Sequence, residues 1–153
     1  NELRHHLLLC YVGRGNSSGE IHKIQEESFK EKEEDVIGGL NELKNMAVEI
    51  KDCLLSGNLE NMGEYLHKSW EKKKIISHNI SDTEIDKFYE IGLKSGALGG
   101  KLLGAGGGGY ILFFCSPEKR NKVEKSLKDA GGEMLNFNFE HSGVQSWASR
   151  CKY

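Results

Sequence analysis

The sequence predicts an α+β fold: an antiparallel sheet in the ferredoxin-like split β-α-β order, with its first crossover expanded into several helices. Three observations predict it. Two six-residue apolar runs, residues 7–12 and 110–115, have strand rather than helix length. Between them, apolar residues recur at three- and four-residue steps. Near the end, Leu135, Phe137 and Phe139 alternate with Asn136, Asn138 and Glu140, the period of a half-buried strand. A length of 153 residues suits one domain.

The first run, LLLCYV, stops at Gly13 and reads as a buried strand. A polar turn follows over residues 13–18. Ser17 and Glu20 have capping-box spacing, so a helix is expected over residues 18–33. Ile37, Leu40, Leu43, Ala47, Ile50 and Leu54 mark the next helix, ended by Gly57. Asn58 is placed to cap a third, whose apolar face is Leu59, Met62, Leu66 and Trp70. Ser81 and Glu84 repeat the capping-box spacing before a fourth helix along Ile85, Phe88, Tyr89 and Ile91. After the second apolar run, Ser116-Pro117 supplies a cap and an N1 proline for a helix along Val123, Leu127 and Ala130, closed by Gly131-Gly132. Residues 144–147 are expected to extend the final strand.

Composition narrows the function classes. With 21 basic and 23 acidic residues, no strong net field draws the chain to nucleic acid or to an anionic membrane. Lys72-Lys73-Lys74 reads as a solvated helix face. The apolar runs are far shorter than the ~20 residues of a bilayer span. Cys10, Cys53, Cys115 and Cys151 show no C-x-x-C pair, and Cys10 and Cys115 read as buried thiols; a reducing compartment is the default reading, two disulfide bridges the alternative. His5, His6, His22, His67, His78 and His141 show no metal-ligand spacing, and adjacent His5 and His6 are expected on opposite faces of a strand.

Glycine is the outlier. Nineteen glycines against one proline is a combination that general loopiness does not produce, and nine of the 19 fall between Gly92 and Gly109. Residues 104–109 formally satisfy G-x-G-x-x-G, but a strand follows where the dinucleotide fingerprint requires a helix. A Walker loop fails because Tyr110 and Ile111 stand where Lys and Ser or Thr are needed. Two readings stay open. One is a tight turn needing positive φ. The other is a backbone left bare so that an anion, or another loop holding one, can approach. The candidate residues are Gly104, Ala105, Gly106, Gly107, Gly108 and Gly109. Lys101 either reaches a phosphate as a point charge or projects to solvent. Arg14, Ser17 and Ser18 lie where a helix start holds an anion, although capping suffices to explain the serines.

The stretch KLLGAGGGGY, followed by the apolar YILFFC, resembles the third, C-terminal motif of the galactokinase, homoserine kinase, mevalonate kinase and phosphomevalonate kinase (GHMP) superfamily. The blocks LLLCYVG, SSGEI, GALGGKLLGAGGGGY and NFNFEHSGVQSW further resemble the branch that phosphorylates D-glycero-D-manno-heptose 7-phosphate at its anomeric oxygen. Where that branch carries Arg three residues after the first-turn glycine, this chain has Asn16, preceded by Arg14 and Gly15. Either Arg14 takes over the charge or the substrate contact differs.

The resemblance implies that residues 1–153 form the C-terminal domain of a cytoplasmic sugar kinase using ATP and Mg2+. It also implies that the ATP loop and the acidic residue lie in an N-terminal domain outside this chain. On that reading the partners are that domain, ATP and a sugar phosphate, with neither nucleic acid nor membrane. This chain then supplies no catalytic base and no metal ligand, and is inactive alone. The alternative is a free-standing ferredoxin-like ligand-binding or regulatory module without catalysis.

Overall fold

The computed structural model describes residues 2–13, 34–77, 80–104 and 106–147. Four strands form one antiparallel sheet: β1 (Leu7–Tyr11), β2 (Ala97–Leu102), β3 (Tyr110–Cys115) and β4 (Glu133–Leu135). Their order is β2-β3-β1-β4, the split β-α-β arrangement of the α+β class. Around it lie α1 (Glu2–His6), α2 (Glu34–Ser56), α3 (Leu59–Ile76), α4 (Thr83–Ser95) and α5 (Pro117–Asp129). The helix expected over residues 18–33 lies outside the described residues.

The alternation of β1 and β3 sorts the core onto two faces of the sheet. Leu8, Cys10, Ile111, Phe113 and Cys115 meet Ile85, Phe88 and Tyr89 of α4 and Val123 and Leu127 of α5. On the other face, Leu7 and Phe114 meet Leu59 and Leu66 of α3. The faces read from periodicity for α3, α4 and α5 are therefore the packed ones, whereas on α2 Ile37, Leu40, Ala47 and Leu54 of the expected face are exposed and Val36 and Cys53 are buried instead. Cys10 and Cys115 are fully buried and, with Cys53, carry free thiols.

Close packing explains part of the glycine excess. A Cβ on Gly99 would collide with the Gly63 carbonyl, and one on Gly63 would stand 2.7 Å from Leu98 Cβ and 2.9 Å from Phe114. Helix α3 thus lies almost directly on strand β2 because both surfaces lack side chains at the crossing. Gly92 of α4 serves the Phe113 ring in the same way.

Further local expectations are corrected, among them the cap at Ser116, which makes no side-chain cap bond to α5. Helix α4 is capped by Asp82, whose carboxylate accepts from the Ile85 amide at 2.8 Å, while Ser81 donates to Asp86 at 2.8 Å. Asn58 flanks α3 without a side-chain cap bond. Its amide instead reaches the Cys53 carbonyl at 2.9 Å and closes α2 around Gly57. His5 and His6 lie in α1, with His6 Nδ1 3.0 Å from the Cys115 carbonyl and its ring stacked on Phe114.

The last strand stops at Leu135, and residues 136–147 are not strand. Antiparallel pairing runs from Tyr11↔Glu133 to Leu9↔Leu135, so Phe137 would next meet Leu7. The Leu7 carbonyl instead accepts from the Arg120 guanidinium, and the pairing ends. Phe137 packs against the Leu7 cluster, while Val144 and Trp147 are exposed.

Finally, Lys72, Lys73 and Lys74 do not form a solvated face. Lys72 pairs with Glu42 at 2.6 Å. Lys74 pairs with Glu71 at 2.9 Å and lies over the rings of Trp70 and Tyr89. Lys73 is half-buried beside Leu66 and Trp70.

Candidate functional site

Strands β2 and β3 are consecutive and antiparallel, and the glycine-rich segment is the loop that joins them. Leu103 N–H donates to the Tyr110 carbonyl at 2.8 Å, extending the ladder one step past Leu102↔Ile111. Beyond that step, Gly104, Gly106, Gly107, Gly108 and Gly109 have φ of +77°, +113°, +73°, +140° and +97°. An L side chain is strained at each of these angles, so the run of glycines is a backbone requirement.

The loop is fastened on two sides. Gly107 N–H donates to the Ile80 carbonyl at 2.9 Å, tying the loop to the connector between α3 and α4. Gly109 N–H donates to the Gly13 carbonyl at 2.8 Å, and the Gly109 carbonyl accepts from Val12 at 2.9 Å. Val12 and Gly13 thus oppose one residue, the count of a bulge, and the turn after β1 is drawn against the loop. The two segments singled out in the sequence, the glycine run and the turn that leads to Arg14, meet at Gly109 and Gly13.

Both readings of the run survive in altered form. Tight backbone geometry is real, and the Gly107 and Gly109 amides are engaged within the chain rather than aimed together at one anion. Gly106 and Gly108 have no backbone acceptor among the described residues, and the space where a Cβ would stand is open at Gly104 and Gly109 but filled by Ile80 at Gly106. Ala105, Arg14, Ser17 and Ser18 lie outside the described residues.

Lys101 is the fifth residue of β2 and half-buried. It does not project freely to solvent but lines a cavity of about 390 Å³ between α2, α3 and the sheet, together with Trp70 and Lys73. Burial, then the Lys101 charge, holds the Lys73 ammonium below the usual lysine range. Lys73 was legible from spacing: Leu66, Trp70 and Lys73 take the i, i+4, i+7 steps that place it on the apolar face of α3. Ile80, a lone apolar residue in a polar connector, is the other position that motif reading missed. It is 2% exposed.

Among the described residues no three His, Cys, Asp or Glu side chains cluster as metal ligands, and no helix is long and apolar enough to cross a membrane.

A family model described as "GHMP kinases C terminal" matches residues 50–133, more than half of the chain and the whole of α3, β2, the loop and β3. The chain belongs to the GHMP kinase family. Its C-terminal part is the one represented here. The chain is 34% identical over 115 residues to D-glycero-alpha-D-manno-heptose 7-phosphate kinase of Campylobacter jejuni, covering 75% of this chain and 34% of that protein. Among solved structures, a putative sugar kinase from Campylobacter jejuni superimposes with a TM-score of 0.58 at 30% identity, over 95% of this chain and 40% of that one. The fold is also that of L. major mevalonate kinase in complex with R-mevalonate, with a TM-score of 0.73 at 20% identity over 80% of this chain and 37% of that one. This GHMP kinase chain therefore spans about a third of the length of the heptose 7-phosphate kinase that it matches.

Proposed function

We propose that residues 1–153 are one domain, the C-terminal half of an ATP-dependent sugar kinase that phosphorylates the anomeric oxygen of a heptose 7-phosphate. The observation that carries this reading is the glycine-rich loop, with five glycines at positive φ, fastened between Gly13 and Ile80. Phosphoryl transfer needs in-line positioning and charge neutralisation more than covalent help from the protein. A loop that carries no side chain larger than a methyl lets an opposing nucleotide-binding loop come within van der Waals reach and forms one wall of the space between ATP and sugar.

On this reading, Gly104 to Gly109 shape that wall, and Arg14, Ser17 and Ser18 contact phosphate or substrate. ATP, Mg2+ and the acidic residue belong mainly to an N-terminal domain. The setting is cytoplasmic. The name of the 34% identical relative supports heptose 7-phosphate over other sugars.

The test joins the chain to its natural upstream half and follows ADP release with heptose 7-phosphate, fucose, galactose and mevalonate. Turnover is expected on the heptose 7-phosphate, with weak or no ATP binding by residues 1–153 alone. Absence of turnover on every sugar refutes the kinase reading. Micromolar ATP binding by the isolated chain refutes the division of labour.

A further inference from the structure

The cavity between α2 and α3 is unlike an ordinary packing gap, because two lysines stand on its wall beside the hydroxyls of Ser69 and Ser77. Most of its wall is aliphatic, from residues such as Leu43, Ile50 and Leu66. Into it face the half-buried Lys73 and Lys101, and neither has a carboxylate within salt-bridge distance among the described residues. Their neighbours Lys72 and Lys74 are both paired. Trp70 lines the same cavity at 1% exposure, and its indole N–H has no acceptor among the described residues. Ser69, the remaining polar group near Trp70, is committed to the Leu66 carbonyl at 2.9 Å.

A buried donor without an acceptor costs stability, and so do two ammonium groups on an apolar wall. Both ammonium groups would be satisfied by one acceptor-only group. The aliphatic wall asks for an apolar body attached to it. At about 390 Å³ the cavity falls in the range of small-molecule sites, and Leu40 on its rim is 40% exposed, so the space is reached from outside.

We propose that this cavity binds a small amphiphilic anion, with a carboxylate or phosphate head held by Lys73 and Lys101, an alkyl body along α2 and α3, and the Trp70 ring as part of the wall. The reading is independent of the kinase assignment. It gives Lys101 a ligand other than the nucleotide.

The experiment uses the full-length protein, 15N-labelled, titrated separately with octanoate, octyl phosphate, octanol and inorganic phosphate. The signal is the assigned indole N–H resonance of Trp70, with that of Trp147, 85% exposed, as reference. Octanoate or octyl phosphate is expected to shift Trp70 and leave Trp147 in place, with octanol and inorganic phosphate each at least about tenfold weaker. The two anions distinguish a carboxylate ligand from a phosphate one. Lys73→Met and Lys101→Met, which keep the aliphatic stems, are each expected to weaken anion binding about tenfold and leave octanol unchanged. The proposal is overturned if octanol matches both anions, if Trp70 does not move with either anion, or if both lysine variants bind the anions as the parent does.

Discussion

The amide of Gly107 donates to the carbonyl of Ile80 at 2.9 Å, and a Cβ on the neighbouring Gly106 would stand 2.5 Å from Ile80 Cγ1. The same buried isoleucine therefore holds the loop through its backbone and limits it through its side chain. Gly106→Ala must pay for φ of +113° and push Ile80 aside. Gly131→Ala pays only the backbone cost, since nothing lies within 4 Å of a Cβ at φ of +97°. Urea unfolding is expected to place Gly131→Ala about 1–2 kcal/mol below the parent and Gly106→Ala about 2–4 kcal/mol below it. Equal losses would mean that Ile80 does not constrain the loop.

Gly99→Ala tests the crossing of α3 and β2. The new methyl meets the Gly63 carbonyl, with His67 Cβ and N both at 2.9 Å, and none of these is the free end of a flexible side chain. Helix and strand must separate, so a loss of about 3 kcal/mol or more is expected, with a protein that no longer unfolds in one transition. Thermal unfolding followed by circular dichroism reads both. A loss under ~1 kcal/mol would show that the crossing adapts.

Elements whose hydrophobic period was complete were legible in the sequence. The Leu59, Leu66, Trp70 face of α3 and the Val123, Leu127 face of α5 are buried as their spacing requires. The glycine loop was legible as a site because four consecutive glycines have no composition-level excuse. What the letters did not carry is set by distant partners. Arg120 takes the carbonyl that β4 would have paired with, so Phe137 leaves the sheet although its alternation is correct. Asp82 wins the cap from Ser81, which has Asp86 to bond. Lys73 looked solvated as one of three lysines, and only its phase on the helix distinguishes it from its neighbours.

The Cys10 thiol is fully buried, and burial pushes it up to about 11 from an ordinary value of 9.0. The folded state therefore keeps its proton between those values while the unfolded chain gives it up. Stability is fully present below pH about 9 and falls as pH rises toward about 11. The contribution of this one group amounts to about 2–3 kcal/mol over that window. In Cys10→Ala the decline between pH 9 and 11, read from urea midpoints, is expected to be shallower than in the parent by about that amount. Parallel curves would remove Cys10 as the source.

Strand β2 is an edge of the sheet, and Leu103 donating to Tyr110 sets the phase of its ladder, so the Gly100 carbonyl points outward. The buried Tyr89 hydroxyl donates to it at 3.2 Å, and His67 Nδ1 lies 2.9 Å from that hydroxyl. With the Tyr89 proton on Gly100, His67 is the donor to the phenol oxygen. Burial, reinforced by Glu71, raises the Tyr89 hydroxyl above the usual tyrosine range, so the donor persists at any pH at which the fold does. Tyr89→Phe keeps the ring stacked on Phe113 and removes only the oxygen, which leaves the Gly100 carbonyl without its partner. A loss of about 1–3 kcal/mol is expected. It should be local as well as global: amide exchange at Leu102 and Leu103, which lead into the glycine loop, accelerates more than exchange at Leu8 and Cys10 in the central β1. Uniform acceleration across both strands would show that Tyr89 stabilises the core without holding the edge from which the loop departs.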